Sequence, residues 1–277
     1  MKIGVSLPIR EMAGDLGAIR AFAQLAEDLG LTHLRIPEQI MRPGNGYLHE
    51  SMTLLAWIAG FTEKIELVPS VIILPNRQTV LFAKQAAELD ILTNGRTRIG
   101  IGVGSSKEEY GYLGMPFESR GRRCNEQMKL LQALWTQTEV NFEGEFDQVS
   151  GAGLNPLPVQ RPIPLWIGAR SSPGKPIIRR IGQQADGWFV LCDPSDFSRI
   201  SEAIGKEAEA VGRKLADIGT EAGVAVVGPR APEWQARVKN WQKAGLTHLC
   251  IRTLGADLTP DQHLKKLSEV VPHIPRA

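Results

Sequence analysis

Residues 65–106 read IELVPSVIILPNRQTVLFAKQAAELDILTNGRTRIGIGVGSS, a strand, a loop, a helix, a second strand and a glycine-rich end. Two apolar, β-branched runs flank one helical stretch, which is the pattern of parallel strands joined by a crossover. Both strands close on small residues, Pro69-Ser70-Val71 and Gly102-Val103-Gly104-Ser105-Ser106. In parallel α/β folds ligands sit at the C-terminal ends of the strands. The segment therefore points both to a fold and to the place where chemistry would occur.

The same unit recurs outward from this stretch. Candidate strands are Ile3–Leu7, His33–Ile36, Ile65–Pro69, Arg98–Val103, Leu165–Ile167, Gly187–Leu191, Gly223–Val227 and Thr247–Arg252, each followed by a helical pattern. The first helix carries Leu16, Ile19, Ala23, Ala26 and Leu29 on one face, with Asp15 as cap and Gly30 as stop. The stretch 121–135 has a Cys124, Met128, Leu131, Leu134 stripe. The last helix opens with Thr259 and Pro260, and its face is Leu264, Leu267 and Val271. Eight such units predict an α/β protein with a closed (β/α)8 TIM barrel, one domain over 1–277. An open doubly wound sheet is the alternative, because alternation alone does not show closure. An insertion at 138–164 separates the fourth and fifth units. It consists of a short hairpin turning at Gly144 and a proline-rich extended run from Asn155 to Pro164.

Composition narrows the function classes. The chain has 277 residues, 43% hydrophobic and 22% charged, with a formal net charge of +2. This is ordinary globular composition and implies no broad nucleic-acid surface. No apolar run reaches the length of a membrane span, and the N-terminus enters a strand pattern without a signal-peptide layout. Cys124, Cys192 and Cys250 lie far apart and suit a reducing cytoplasm. Metal-ligand spacing is absent, so no metal site is expected.

Several positions are candidates for chemistry. Gly100-Ile101-Gly102-Val103-Gly104 alternates glycine within a strand, unlike a dinucleotide fingerprint, whose first glycine opens a turn into a helix. Small residues there leave room inside a barrel or beside a ligand. Ser105 and Ser106 start a helix; they serve either as a plain cap or as donors to an anionic or carbonyl group. The loop from Gly168 through Ala169, Arg170 and Ser171 combines small residues and donors before a helix, which favours phosphate binding. His33 begins a strand and reads as structural, whereas Glu38 and Gln39 follow the same strand's C-terminal end. His49 precedes the second helix and is a candidate for the mouth, and the Arg120, Arg122, Arg123 cluster reads as solvated or ion-paired. No nucleophile–base constellation is present, a situation in which a cofactor commonly carries the chemistry.

Ile73-Leu74-Pro75-Asn76-Arg77-Gln78, Lys84 to Asp90, Gly95 to Gly104, Ser119 to Arg123, Asn155 to Gly168 and Asp186-Gly187-Trp188 together resemble the bacterial luciferase-like monooxygenase family. Within it they resemble the flavin- or deazaflavin (coenzyme F420)-dependent oxidoreductases. The resemblance implies a barrel with the cofactor ring at its C-terminal mouth and a small organic substrate beside it. It implies a cis peptide at Ser70–Val71 against the ring. Contacts from Ser6, Gly104, Ser105 and Ser106 follow, with the phosphate on the backbone of Gly168, Ala169, Arg170 and Ser171. Catalytic roles fall to Glu38 and Gln39, which stand where many relatives carry Asp-His; glutamine does not titrate near neutral pH as histidine does. Coenzyme F420 is the preferred cofactor and FMN the alternative. A cytoplasmic homodimer is expected, with Met52, Leu55, Trp57 and Phe61 as apolar surface. The other classes open at this point are a non-catalytic cofactor carrier and a phosphate-ester lyase on the same barrel.

Overall fold

The computed structural model describes residues 1–12, 14–41 and 48–275. Strand β1 (Lys2–Ser6) leads through α1 (Ile9–Met12) and α2 (Leu16–Asp28) to β2 (His33–Ile36) and α3 (Ser51–Ala59). Next come β3 (Glu66–Pro69), β4 (Ile72–Ile73), α4 (Thr79–Leu92), β5 (Ile99–Gly102), α5 (Lys107–Tyr112) and α6 (Arg120–Thr136). A hairpin of β6 (Val140–Glu143) and β7 (Gln148–Ala152) precedes β8 (Leu165–Gly168) and α7 (Lys175–Gln184). The chain ends with β9 (Gly187–Val190), α8 (Pro194–Glu209), β10 (Gly219–Ala225), α9 (Trp234–Lys243), β11 (His248–Arg252) and α10 (Pro260–Val270).

The main sheet runs β3-β2-β1-β11-β10-β9-β8-β5-β4, with parallel pairing throughout. β4 resumes the path of β3 beyond the cis Ser70–Val71 bond, so nine strands fill eight barrel positions. The two ends of the sheet meet at Leu67, whose N–H donates to Arg96 O and whose carbonyl accepts from Arg98 N–H. That bridge makes the sheet a nearly closed barrel and sets the open-sheet alternative aside.

Strand residues that point outward, among them Leu34, Leu67, Ile99, Ile101, Leu165, Ile167 and Leu249, join the main apolar core. The barrel's interior is different. It holds a small separate apolar group, Val68, Trp166 and Phe189 with Val71, and a set of charged side chains described below. Glycine makes this interior possible. A Cβ added at either Gly187 or Gly219 would lie 2.3 Å from the Trp166 ring, and one at Gly100 would lie 2.7 Å from Phe189. Gly102 and Gly168 both face Val71, at 2.9 Å from a built Cβ. The alternating glycines of β5 thus empty one face of the strand so that bulky side chains from elsewhere can fill it.

Two expectations need correction. The seventh strand begins at Gly219, four residues earlier than Gly223. Gly219-Thr220-Glu221 falls outside the expected strand, but Gly219 gives way to Trp166 and Glu221 is a buried acid of the barrel interior. Leu16 is not part of the buried face of α2; it is 49% exposed, and Ile19, Phe22, Ala23 and Ala26 are what the helix buries. The Asp15 cap is present, accepting from Ala18 N–H.

The insertion is fastened to the barrel. Glu126 of α6 accepts N–H bonds from Glu145, Phe146 and Asp147 at the hairpin turn. Asp147 in turn accepts from the Thr79 hydroxyl at the start of α4. In the proline-rich run, the Gln160 amide donates to Asp90 and to Thr97 O, and the Gln160 backbone N–H also donates to Asp90.

One interior group gives the protein a pH dependence. Burial, then the Arg98 and His33 charges, push His248 down to about 3 from the ordinary histidine value of 6.5. In the folded state it therefore stays neutral across a range where the unfolded chain takes up a proton. Its contribution is complete above about pH 6.5 and is lost as pH falls toward about 3. Urea unfolding should show lower stability at pH 5 than at pH 7.5. His248→Phe, which keeps a ring against Trp166, should flatten that slope; an unchanged slope would refute the assignment.

Candidate active site at the barrel mouth

The site is built upward from the barrel centre. Glu221 is fully buried, and its two oxygens accept from Arg35 Nη1 at 2.9 Å and Arg98 Nη1 at 2.8 Å. His33 Nε2 lies 3.3 Å away. Burial alone would raise this carboxyl, but His33, Arg35 and Arg98 outweigh it and hold the group well below the usual carboxylate range. Arg98 also pairs with Glu66 at 2.9 Å and lies 4.1 Å over the Trp166 ring. Arg35 lies 4.5 Å over Phe189 and donates from Nε to Ser70 Oγ at 2.9 Å. A continuous polar column therefore runs from the middle of the barrel to the rim at Ser70.

His33, Glu221 and Cys250 present possible ligand atoms within 4.8 Å of one another. Their chemistry argues against a metal centre. Glu221 already carries two guanidinium groups, and burial pushes the Cys250 thiol up to about 12, so no thiolate is available near neutral pH.

Above the column lies a cavity of about 470 Å³ at the C-terminal ends of the strands. Ser6, Pro37, Ser70 and Phe189 line the side nearest the column. Arg10, Arg35, Arg230, Arg237 and Arg252 also line it, and Asp193 is the one carboxylate that does so among the described residues.

The expected cofactor-binding residues divide into three groups. Ser6 and Ser70 line this cavity, and Val71 fills the space between Gly102 and Gly168 inside the rim. Gly104, at φ +63°, and Ser105 lead out of β5 to Ser106, whose hydroxyl accepts from Glu109 N–H as the α5 cap. On the loop after β8, Ala169 is buried while Arg170 and Ser171 are exposed, and their side chains make no hydrogen bond to the described residues. Neither loop lines the large cavity itself.

Glu38 and Gln39 line a separate recess of about 370 Å³ beside Arg77 and Gln85. The Glu38 carboxylate is almost wholly buried and accepts from Ser51 Oγ, Ile73 N–H and Arg77 Nη2. It braces the end of β2 against β4 and α3. His49 lies with Leu16, Leu54 and Trp57 in a shallow recess that shares Glu50 and Thr53 with the recess of Glu38. Of the residues expected to form an apolar docking face, Leu55 is fully buried and Met52 nearly so. Trp57 and Phe61 are half-buried beneath the Arg20 guanidinium. Sequence reasoning passed over Arg230, Arg237 and Arg252. The available signal was Arg252 at the C-terminal end of the eighth strand, and Arg237 and Asn240 one helical turn apart.

A family model for luciferase-like monooxygenase matches residues 1–267. The chain belongs to the luciferase-like monooxygenase family. This family member is 28% identical over 211 residues to an uncharacterized protein of Mycobacterium tuberculosis, covering 69% of this chain and 71% of that one. It is 31% identical over 195 residues to the F420-dependent glucose-6-phosphate dehydrogenase of Kineococcus radiotolerans, covering 68% and 56%. Among solved structures, the monooxygenase RslO1 of Streptomyces bottropensis superposes with a TM-score of 0.82 at 16% identity, covering 99% of this chain and 98% of that one. Family membership makes the chain an oxidoreductase enzyme. Among the described residues, no helix is long and apolar enough to cross a membrane.

Proposed function

We propose that this enzyme seats reduced coenzyme F420 at the barrel mouth and passes a hydride to a small organic substrate in the 470 Å³ cavity. The observation that carries the reading is the concave mouth beside Ser6 and Ser70 in a chain whose relatives include F420-dependent glucose-6-phosphate dehydrogenases. FMN is the alternative occupant.

The residues present fit such a group. Val71, over Gly102 and Gly168, offers an apolar surface inside the rim for a flat ring. The donors of Arg170 and Ser171 are unengaged on the adjacent loop, where Gly168 and Ala169 leave the backbone open to a phosphate. Ser6, Gly104, Ser105 and Ser106 supply polar groups for the ring's edge. When bound, the deazaflavin would supply a hydride; FMN in its place would supply the means to activate oxygen.

The chain's own contribution is positioning. Arg35, held between Glu221 and Ser70, fixes the Ser70 hydroxyl and keeps a positive charge beside the ring's position. Phe189 and Val71 keep water from that side. Glu38 holds β4 in place through Ile73 N–H, so its carboxylate acts on the geometry of the rim. Assembly as a homodimer belongs to the same reading, with Trp57 and Phe61 as its apolar surface. So does a cytoplasmic location, with which three free cysteines are compatible.

A fluorescence titration of the purified protein with F420 and with FMN tests the proposal. Saturable binding of F420 at micromolar levels or below, tighter than FMN, is the expected result. Arg170→Ala should weaken it about tenfold by removing a phosphate donor. Absence of binding by both cofactors would overturn the reading.

A further inference from the structure

We infer that the arginine-lined side of the mouth cavity recognises a doubly charged oxyanion on the substrate, a phosphate monoester or a dicarboxylate. The inference deepens the redox reading and rests on it, because it concerns the group that would face the cofactor. Five guanidinium groups, from Arg10, Arg35, Arg230, Arg237 and Arg252, line one cavity against the single carboxylate of Asp193. Two are engaged elsewhere: Arg35 with Glu221 and Ser70, and Arg230 with Glu233 at 3.5 Å. The side chains of Arg10, Arg237 and Arg252 have no ion pair or hydrogen bond among the described residues.

These three come from separate parts of the chain. Arg10 follows β1, Arg237 lies on α9 beside Asn240, and Arg252 ends β11. The fold therefore gathers them; no local charge run does. Unpaired surface arginines normally diverge into solvent, whereas here they line a concave wall. A cleft lined by one sign of charge concentrates the opposite charge. Burial and then the Arg230 charge make the cationic form of Arg237 harder to hold; Glu233 and Asp193 oppose this, Arg252 adds to it, and the net effect stays unfavourable to the cation. The local field is thus under-compensated.

A guanidinium binds an oxyanion through two parallel N–H groups. One monocarboxylate satisfies one such fork, and three unpaired forks match a group with two charges and three or more acceptor oxygens. The cavity's remaining walls, Phe189, Leu191, Trp241 and Leu254, are apolar and suit a short carbon skeleton. The arginines lie on the side formed by β1, β10 and β11, apart from the Gly168–Ser171 loop, so a cofactor phosphate and a substrate anion have separate anchors.

The test uses isothermal calorimetry on the full chain at constant ionic strength. The probes are glycerol 3-phosphate, succinate and, as neutral control, glycerol. Saturable binding of at least one anion and none of glycerol is expected, and the tighter anion identifies the substrate group. The Arg237→Gln, Arg252→Gln double variant, with folding checked by its melting curve, should lose at least about tenfold in anion affinity. Its F420 and FMN affinities should stay within about twofold of the parent. Absence of saturable anion binding in the parent chain would overturn the inference. So would a parallel loss of cofactor affinity, which would assign the arginines to the cofactor's own anionic groups. Anion binding without binding of either cofactor would instead remove the redox reading and leave the anion site standing.

Discussion

Glu221→Ala should destabilise the protein by about 3–5 kcal/mol, the largest single effect expected in the barrel. The substitution leaves Arg35, Arg98 and His33 facing one another with their shared counter-charge gone. Arg98 retains Glu66, but Arg35, partly buried at the cavity edge, keeps only the Ser70 hydroxyl and has no partner anion. Glu221→Gln, which keeps the shape and one acceptor, should lose less than alanine but still more than a surface substitution. Urea unfolding at pH 7.5 measures both. A loss under about 1 kcal/mol for alanine would mean that water or rearranged arginines satisfy the interior, and the description of the column would be wrong.

Gly187→Ala should be the second most damaging change tested. Its new methyl carbon would lie 2.3 Å from the Trp166 ring, and the ring has no free side to move toward, since Gly219 approaches it equally closely. Arg98 stacks on the ring and His248 meets it edge-on at 4.9 Å. Overpacking of this kind costs about 1–3 kcal/mol and sometimes more. Trp166→Leu in the same chain should recover part of the loss, so the two changes should be non-additive by about 1 kcal/mol or more. Simple addition of the two penalties would show that the ring does not set the need for glycine at 187.

The barrel was legible because its outer face obeys ordinary rules. Leu34, Ile36, Ile99, Ile101, Leu165 and Ile167 are apolar residues at alternating strand positions, and the helices between them carry caps such as Asp15 and Thr259. The insertion announced itself through Gly144 and the prolines. The interior was much less legible. Its fillers come from strands far apart in sequence, so a glycine at 100 says nothing local about a phenylalanine at 189. Glu221 fell outside the expected strand and went unnoticed because its partners, Arg35 and Arg98, lie 186 and 123 positions away. Glu38 and Gln39 do lie just past the end of β2, as the strand pattern suggested, but strand position does not disclose which recess a side chain enters. Arg237 on α9 was hidden for the reverse reason: on paper it belongs to a solvated helix, and only the packing of α9 against β10 brings it to the cavity.

Arg35 has one end in the cavity and the other on Glu221. A change that re-tunes the mouth through Arg35 will also disturb the carboxylate that restrains Arg98 and His33, and folding will suffer with it. Arg10, Arg237 and Arg252 carry no such obligation. The rim therefore has a conservative half and a permissive half, and selection for new acceptors has its latitude along α9 and the exits of β1 and β11.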